Sequence, residues 1–214
     1  PAIQRRFKGK EPMQIVLETG TESAWIARCL EEAGHEVTVA HARRIKLITD
    51  NDSKNDRNDA ETLARLGRSD LELLTEAHVR GQGAQRIRAM LKARRRLVES
   101  RTKLANQIRG LARQANCQLP SGKPEQLERI INETDVPEAL EVSIRPLAES
   151  ITALTERIDE LTAKLKKVAN QLDTVDQLTD ICGVGWQTAL CFVVTIENPG
   201  RFSSSKKVGA YFGL

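Results

Sequence analysis

At 214 residues and 23.8 kDa the chain is long enough to bury a substantial core, in one large domain or two small ones. Aromatic residues make up 3% and charged residues 29%, a balance that argues against a β-sandwich and for long helices with aliphatic seams. There is no run of about 18 apolar residues, and PAIQRRFKGKEP at the N-terminus has no signal-like apolar core. Membrane-spanning and secretory classes are therefore set aside, and a cytoplasmic protein is expected. Cys29, Cys117, Cys182 and Cys191 form no CxxC pair and have no His at zinc-finger spacing, so they read as free thiols rather than a disulfide or zinc framework.

Residues 13–40 read as an α/β unit. MQIVLETG is a short apolar strand ending at a Gly, and EVTVA alternates β-branched residues. Between them TESAWIARCLEEAGH predicts a helix capped by Thr21 or Ser23, with Trp25, Ile26, Cys29 and Leu30 on one face and Gly34 at its end. Such a unit implies parallel strands joined by a right-handed crossover. Two strands alone make a poor sheet, so further pairing partners are expected before Pro1 or from elsewhere. HARRIKLITDNDSK predicts a short helix and a loop, and NDRNDAETLARLGR a helix capped near Asn55 or Asp56 that turns Leu63 and Leu66 inward.

Past Gly81 and Gly83 a long helix is predicted over about residues 84–116, with Met90, Leu97, Leu104 and Leu111 at heptad spacing. From Arg80 to Asn116 eleven Lys and Arg stand against Glu99 alone, a local charge of +10, whereas residues 117–180 carry −6. Two readings fit this asymmetry: a polyanion-facing surface, or a solvated face balanced by an acidic partner helix. The partner is predicted downstream, where Leu147, Ile151, Leu154, Ile158, Leu161, Leu165, Val168, Leu172 and Val175 step by four and three as in a left-handed coiled coil. The intervening segment, with Pro120, Gly122, Pro124, Pro137 and Pro146, predicts a turn with short helical pieces and hence an antiparallel hairpin. In DQLTDICGVGWQTAL the Gly183-Val184-Gly185 turn separates two helices; it either presents backbone N–H groups to a phosphate or simply packs the helices.

Asp56 and Asp59, three apart on a helix, share a face. Two carboxylates so close are tolerated in water, but in a cleft they call for a cation between them. Glu18 lies at the carboxyl end of a parallel strand, where the sites of α/β folds gather. Oxygen donors without His or Cys suit Mg²⁺ or Mn²⁺. From the residues alone, in a chain with 29 acidic side chains, surface charge is the better account of the same three acids.

Taken in order, IVLETG, SKNDRNDAETLARL, RTKLANQIRGL, LTDICGVGWQTAL and RFSSSKKVGAYFGL resemble the successive blocks of DEDD-type insertion-sequence transposases of the 110/1111 group, which include the Piv/MooV DNA invertases. The resemblance implies an α/β plus α architecture. A partial RuvC-like, ribonuclease-H-like domain would span residues 1–79, a long antiparallel coiled coil 80–178, and a helix-hairpin-helix-like start of the C-terminal transposase domain 179–214. It places Glu18, Asp56 and Asp59 as the second, third and fourth acids of a four-acid site binding Mg²⁺ or Mn²⁺. The first acid belongs to an IGIDVSK-like strand and a further serine to an SGG-like block, neither present here. Ser203, Ser204 and Ser205 read as a polar turn or helix cap, and an internal portion of a longer transposase, inactive alone, is expected.

The implied partners are transposon-end and target DNA, a structured guide RNA, and a second copy through the coiled coil, with no membrane, in the nucleoid-associated cytoplasm of a prokaryote. Lys54, Arg57, Arg86, Arg88, Arg94, Arg95, Arg101 and Arg109, with Gly183 and Gly185, are the expected nucleic-acid contacts, because guanidinium groups bind phosphate bidentately. The competing classes are a helical nucleic-acid-binding or dimerisation scaffold and a RuvC-like Holliday-junction nuclease, which would lack the coiled coil and the GVG turn.

Overall fold

The two predicted strands form as β1 (Gln14–Glu18) and β2 (Glu36–Ala40) and pair in parallel, Gln14 opposite Glu36 and Glu18 opposite Ala40. The computed structural model describes residues 2–41, 56–71 and 74–214, without the side chain of Asp56. They fall into two units, Pro1–Gly81 and Gln82–Leu214. The short helix and loop expected after Ala40, the Asn55 cap and Lys54 lie outside the described residues.

In the first unit the pleat sends alternate side chains to opposite faces of the sheet. Leu17, Val37 and Val39 join Ala27 of α2 (Ser23–Glu31), whereas Val16 and Ala40 join Leu63 and Leu66 of α3 (Asp56–Ser69). Neither expected cap closes α2. Its N-cap is Glu22, which makes no side-chain capping bond, and Ser23 Oγ instead donates to the Gly20 carbonyl at 2.9 Å. The extra pairing comes from downstream: Ala40 bridges antiparallel to Glu76, and Ala77 N–H donates to the Val39 carbonyl at 2.7 Å. Helix α1 (Ala2–Phe7) is held through His35, buried at 4% exposure, which meets the Phe7 ring edge-on at 5.6 Å.

Gly67 lets α3 lie close on β1. A Cβ there would stand 2.6 Å from Val16 Cγ2, inside any tolerable contact, and Val16 is β-branched and stiff. Gly67→Val is therefore expected to destabilise the unit by about 1–3 kcal/mol through overpacking, although Val is the better helix former. A denaturant midpoint no lower than that of the parent would contradict this close approach.

The second unit is built on α4 (Gln82–Gln114) and α6 (Glu138–Ala169). Arg94 Nε donates to Thr162 Oγ1 at 2.7 Å and Arg101 Nη1 to Thr155 Oγ1 at 3.2 Å, so a seven-residue step forward on α4 matches one backward on α6. The helices are antiparallel. Continued in that register, Ala105, Ile108 and Ala112 stand across from Ile151, Ala148 and Ile144, all in one buried cluster. Each large side chain meets a small one, which lets the helices approach without voids.

The seam ends earlier than its spacing predicts. α6 stops at Ala169, and Val175 belongs to α7 (Asp173–Thr179). It also begins before Pro146, a residue expected in the link, and runs through it. Proline costs the helix one backbone bond and crowds the carbonyl four residues back. That residue, Val142, is 73% exposed, so the missing bond lies on the outer face of the helix, while burial of Leu140 and Ile144 holds the first turns in place. The link itself contains α5 (Leu127–Glu133), which buries Leu127, Ile130 and Ile131.

The C-terminal stretch shares the core of this unit. α8 (Trp186–Ile196) contributes Ala189, Leu190 and Val194 to a buried cluster with Leu165, Ala169 and Val175, flanked by Ile87 and Met90 of α4. A last helix, α9, covers Ser205–Phe212, with Ser204 as its N-cap. No helix among the described residues is long and apolar enough to cross a membrane.

Candidate functional site

Glu18 is the last residue of β1 and is exposed. By the pleat it projects to the same face as Val16, the face covered by α3. Asp59, Leu63 and Gly67 follow one another by single helical turns along α3, so they share a stripe. Gly67 lies against Val16 in mid-strand, while Leu63 packs with Ala40 at the strand ends. The stripe thus runs opposite to β1 and carries half-buried Asp59 past the carboxyl edge of the sheet, on the side of Glu18.

From Gly67 to Asp59 the helix rises about 12 Å, whereas Val16 to Glu18 spans about 6.6 Å. Asp59 consequently overshoots the strand end by about one helical turn. Glu18 also borders a shallow cleft formed with Leu17, Gly20, Thr21, Ser23 and Ile26 at the start of α2. Among the described residues no group of three or more His, Cys, Asp or Glu side chains is close enough to hold a metal, and the Asp56 side chain lies outside that description. Glu18 and Asp59 offer carboxylate oxygens, and Thr21 and Ser23 hydroxyls beside Glu18; oxygen donors of this kind suit a hard divalent cation. Arg57 is exposed one residue beyond Asp56.

The basic helix divides into two sets of side chains. Arg88 donates to Thr195 Oγ1 of α8 at 2.5 Å, Arg94 to Thr162, Arg101 to Thr155, and Arg109 to the Gly122 carbonyl. Each Thr hydroxyl on α6 also donates to a carbonyl one turn back, Thr162 to Ile158 at 2.6 Å and Thr155 to Ile151 at 2.8 Å. With its amide oxygen turned toward the guanidinium, Gln187 accepts from Arg94 Nη1 at 2.7 Å. Arg88, Arg94 and Arg101 thus connect α4 to α6 and α8, and Arg109 ties it to the link before α5. Polar rungs at fixed positions specify register in helix pairs.

The other set faces solvent: Arg86, Lys92, Arg95, Arg96, Lys103 and Arg113. Arg95 and Arg96 both bond the Glu99 carboxylate, at 2.9 and 2.8 Å, and hold its pKa below the usual carboxylate range, Arg95 contributing most. One acid shared by two guanidinium groups leaves the face strongly basic. Lys92, Arg96, Lys103 and Arg113 are distinguishable in sequence as the basic residues farthest from the apolar heptad positions.

Gly183 adopts φ +85°, a conformation costly for any residue with a Cβ, and this turns the chain from α7 into α8. Gly185, also exposed, enters α8 with no side-chain cap, so the first-turn N–H groups are not covered by a side chain. The N–H of Val184 is already committed to the Ile181 carbonyl at 3.0 Å.

Two family profiles match the chain: one of the DEDD type described as a transposase, over residues 2–117, and one described as the IS116/IS110/IS902 transposase family, over residues 175–214. The chain is 32% identical over 169 residues to the transposase for insertion sequence element IS1111A of Coxiella burnetii, covering 76% of this chain and 45% of the relative. It is 25% identical over 206 residues to the transposase for insertion sequence element IS1328 of Yersinia enterocolitica, covering 95% of this chain and 60% of the relative. The chain spans about half the length of the curated relatives it matches.

Proposed function

Because the chain belongs to the DEDD transposases of the IS116/IS110/IS902 family, we propose that it forms part of a DNA transposase that cleaves and joins strands at insertion-sequence ends. What supports this reading is that Glu18 ends β1 at the carboxyl edge of the sheet, while α3, which covers that face, carries Asp59 past the same edge. Together with Asp56 these carboxylates would hold Mg²⁺ or Mn²⁺ in a RuvC-like, ribonuclease-H-like site. When bound, the cation supplies charge stabilisation at a scissile phosphate and lowers the pKa of an attacking hydroxyl or water. The protein's own part is positional: the strand end fixes Glu18, and the close seat of Gly67 on Val16 sets the height of Asp59.

Titration of the chain with Mn²⁺, followed by water proton relaxation, tests the assignment. Glu18→Gln and Asp59→Asn are each expected to weaken binding by at least about tenfold, the lower bound for loss of a group supporting a ligand. Binding unaltered by both substitutions would place the cation elsewhere.

The nucleic-acid face of this reading is the outward row Arg86, Lys92, Arg95, Arg96, Lys103 and Arg113 of α4, for a structured guide RNA or DNA backbone. The GVG turn joins it as a helix-hairpin-helix-like contact. Arg94 and Arg101 take the supporting part, holding the long helices in register as a coiled coil that also serves as the contact between copies, while Arg88 and Arg109 brace α4 against α8 and the link. Six phosphate contacts predict an affinity loss of about a thousandfold between roughly 50 and 200 mM salt. Arg96→Gln and Lys103→Gln should each lower the log–log salt slope by about one, whereas Thr162→Val should leave it unchanged. Filter binding at several salt concentrations measures this, and a slope near zero would remove the electrostatic assignment.

A further inference from the structure

Helix α4 ends at Gln114, and the chain folds back along it. Asn116 takes φ +53°, a left-handed conformation that Asn adopts more readily than most residues. Cys117 N–H then donates to the Ala112 carbonyl at 2.8 Å, and Arg109, about one turn earlier on the helix, donates to the Gly122 carbonyl. The helix and this returning segment border a cleft of about 370 Å³, lined by Arg109, Ala112, Arg113, Cys117, Gln118 and Leu119. Ligand pockets begin at about 300 Å³. The cleft is built from one continuous stretch of mid-chain sequence, and no acidic residue occurs between Glu99 and Glu125.

Its floor and its rim differ in chemistry. Ala112 and Cys117 are buried and Leu119 half-buried, which gives an apolar floor, whereas Arg113 and Gln118 are exposed at the rim. Arg109 is half-buried and held by the Gly122 carbonyl through Nη2. A guanidinium carries five N–H donors, so others remain for a second acceptor. The carbonyls of Leu111, Ala112 and Arg113 are taken by the N–H groups of Ala115, Cys117 and Asn116, so little of the negative end of α4 is left to repel an anion.

We propose that this cleft takes one unpaired nucleotide of a folded nucleic acid, its base on the apolar floor and its phosphate on Arg109 and Arg113. A base turned out of a helix is held by apolar contact with its faces and by hydrogen bonds to its edge. The Gln118 amide both donates and accepts, so it serves such an edge. Backbone phosphate alone is satisfied by exposed cations and has no use for an apolar floor, and an acidic peptide side chain would occupy only the rim. The proposal rests on the nucleic-acid reading of α4 given above, whose outward row ends at Arg113.

The test is fluorescence anisotropy with the 214-residue chain and three labelled RNA hairpins: one with a single bulged nucleotide, one with an abasic bulge of the same charge, and one fully paired. The bulged hairpin should bind about fivefold or more tightly than the abasic one, the worth of one or two hydrogen bonds to the base. Gln118→Ala, which lies outside any helix, should erase that preference with helical circular dichroism and affinity for the paired hairpin unchanged. Arg113→Gln should weaken the bulged hairpin more than the paired one, whereas Lys103→Gln should weaken all three alike. The same set in DNA tells which kind of strand enters, and a preference in either supports the cleft. Equal binding of bulged and abasic hairpins in both sets, with the paired ones still bound, would overturn the cleft and leave the nucleic-acid reading standing. Absence of binding to every probe would overturn both. A base preference that Gln118→Ala leaves intact would put the base elsewhere and overturn the proposal.

Discussion

Asn in place of Asp59 is expected to abolish divalent-metal-dependent strand cleavage by a full-length transposase carrying these residues, by at least about a hundredfold. Loss of a group that merely supports a metal ligand costs about 10–100-fold, and loss of the ligand itself exceeds that. A hundredfold corresponds to about 2.7 kcal/mol of transition-state stabilisation. The substitution is nearly isosteric, and at the start of α3 it forfeits only the favourable meeting of a carboxylate with the helix dipole, about 0.3–1 kcal/mol. The fold therefore survives and the readout is chemical.

Glu61 provides the contrast. It sits on the same helix two residues on but is exposed and bonded to Arg65 at 2.6 Å, a solvent-facing pair of small energetic weight. Glu61→Gln should leave cleavage unchanged. If both substitutions reduce activity equally, the helix as a whole, and not its inward carboxylate, is responsible. Glu18→Gln should match Asp59→Asn, since the two acids reach the same sheet edge from different elements.

Leu165→Ala should be strongly destabilising in the second unit. Leu165 is fully buried and belongs to the cluster joining α6 to α7 and α8. Truncation removes the transfer free energy of its side chain and leaves a cavity, at a cost of about 2–5 kcal/mol. In a domain of this size that lowers the thermal midpoint by on the order of 10 °C. Val142→Ala, at a position 73% exposed, should fall within about 0.5 kcal/mol of the parent.

The form of the transition is informative as well. Because α8 contributes Leu190 and Val194 to the same cluster as Leu165, loss of α8 packing and melting of the long helices should coincide. Differential scanning calorimetry together with Trp186 fluorescence, in a Trp25→Phe background, reports both. A separate, unperturbed transition for the C-terminal helices would contradict the shared core.

Where patterns are local, they were readable along the chain. The βαβ order, the 33-residue basic helix and the turn at Gly183 follow from alternation, seven-residue spacing and breakers, each set by neighbours a few positions away. The same spacing overran at Leu172, because a heptad pattern does not register where the helix loses its packing partner. Pro146 misled in the other direction. The price of its missing N–H is met by burial of Ile144 and Leu140, a tertiary contribution that no local rule contains.

The arginines show the division most clearly. Arg86, Arg88, Arg94, Arg95, Arg101 and Arg109 are chemically alike in a linear chain, and composition determined by itself that this helix is basic and its partner segment acidic. Which guanidinium groups meet solvent was decided by the antiparallel register. That register brings Thr155 and Thr162 beneath Arg101 and Arg94 and leaves Arg95 outside. Likewise, Glu18, Asp56 and Asp59 are candidates by resemblance along the chain. Only the pleat of β1 and the seat of Gly67 on Val16 put Glu18 and Asp59 on one side of one sheet edge, because direction in space is a property of packing, not of order along the sequence.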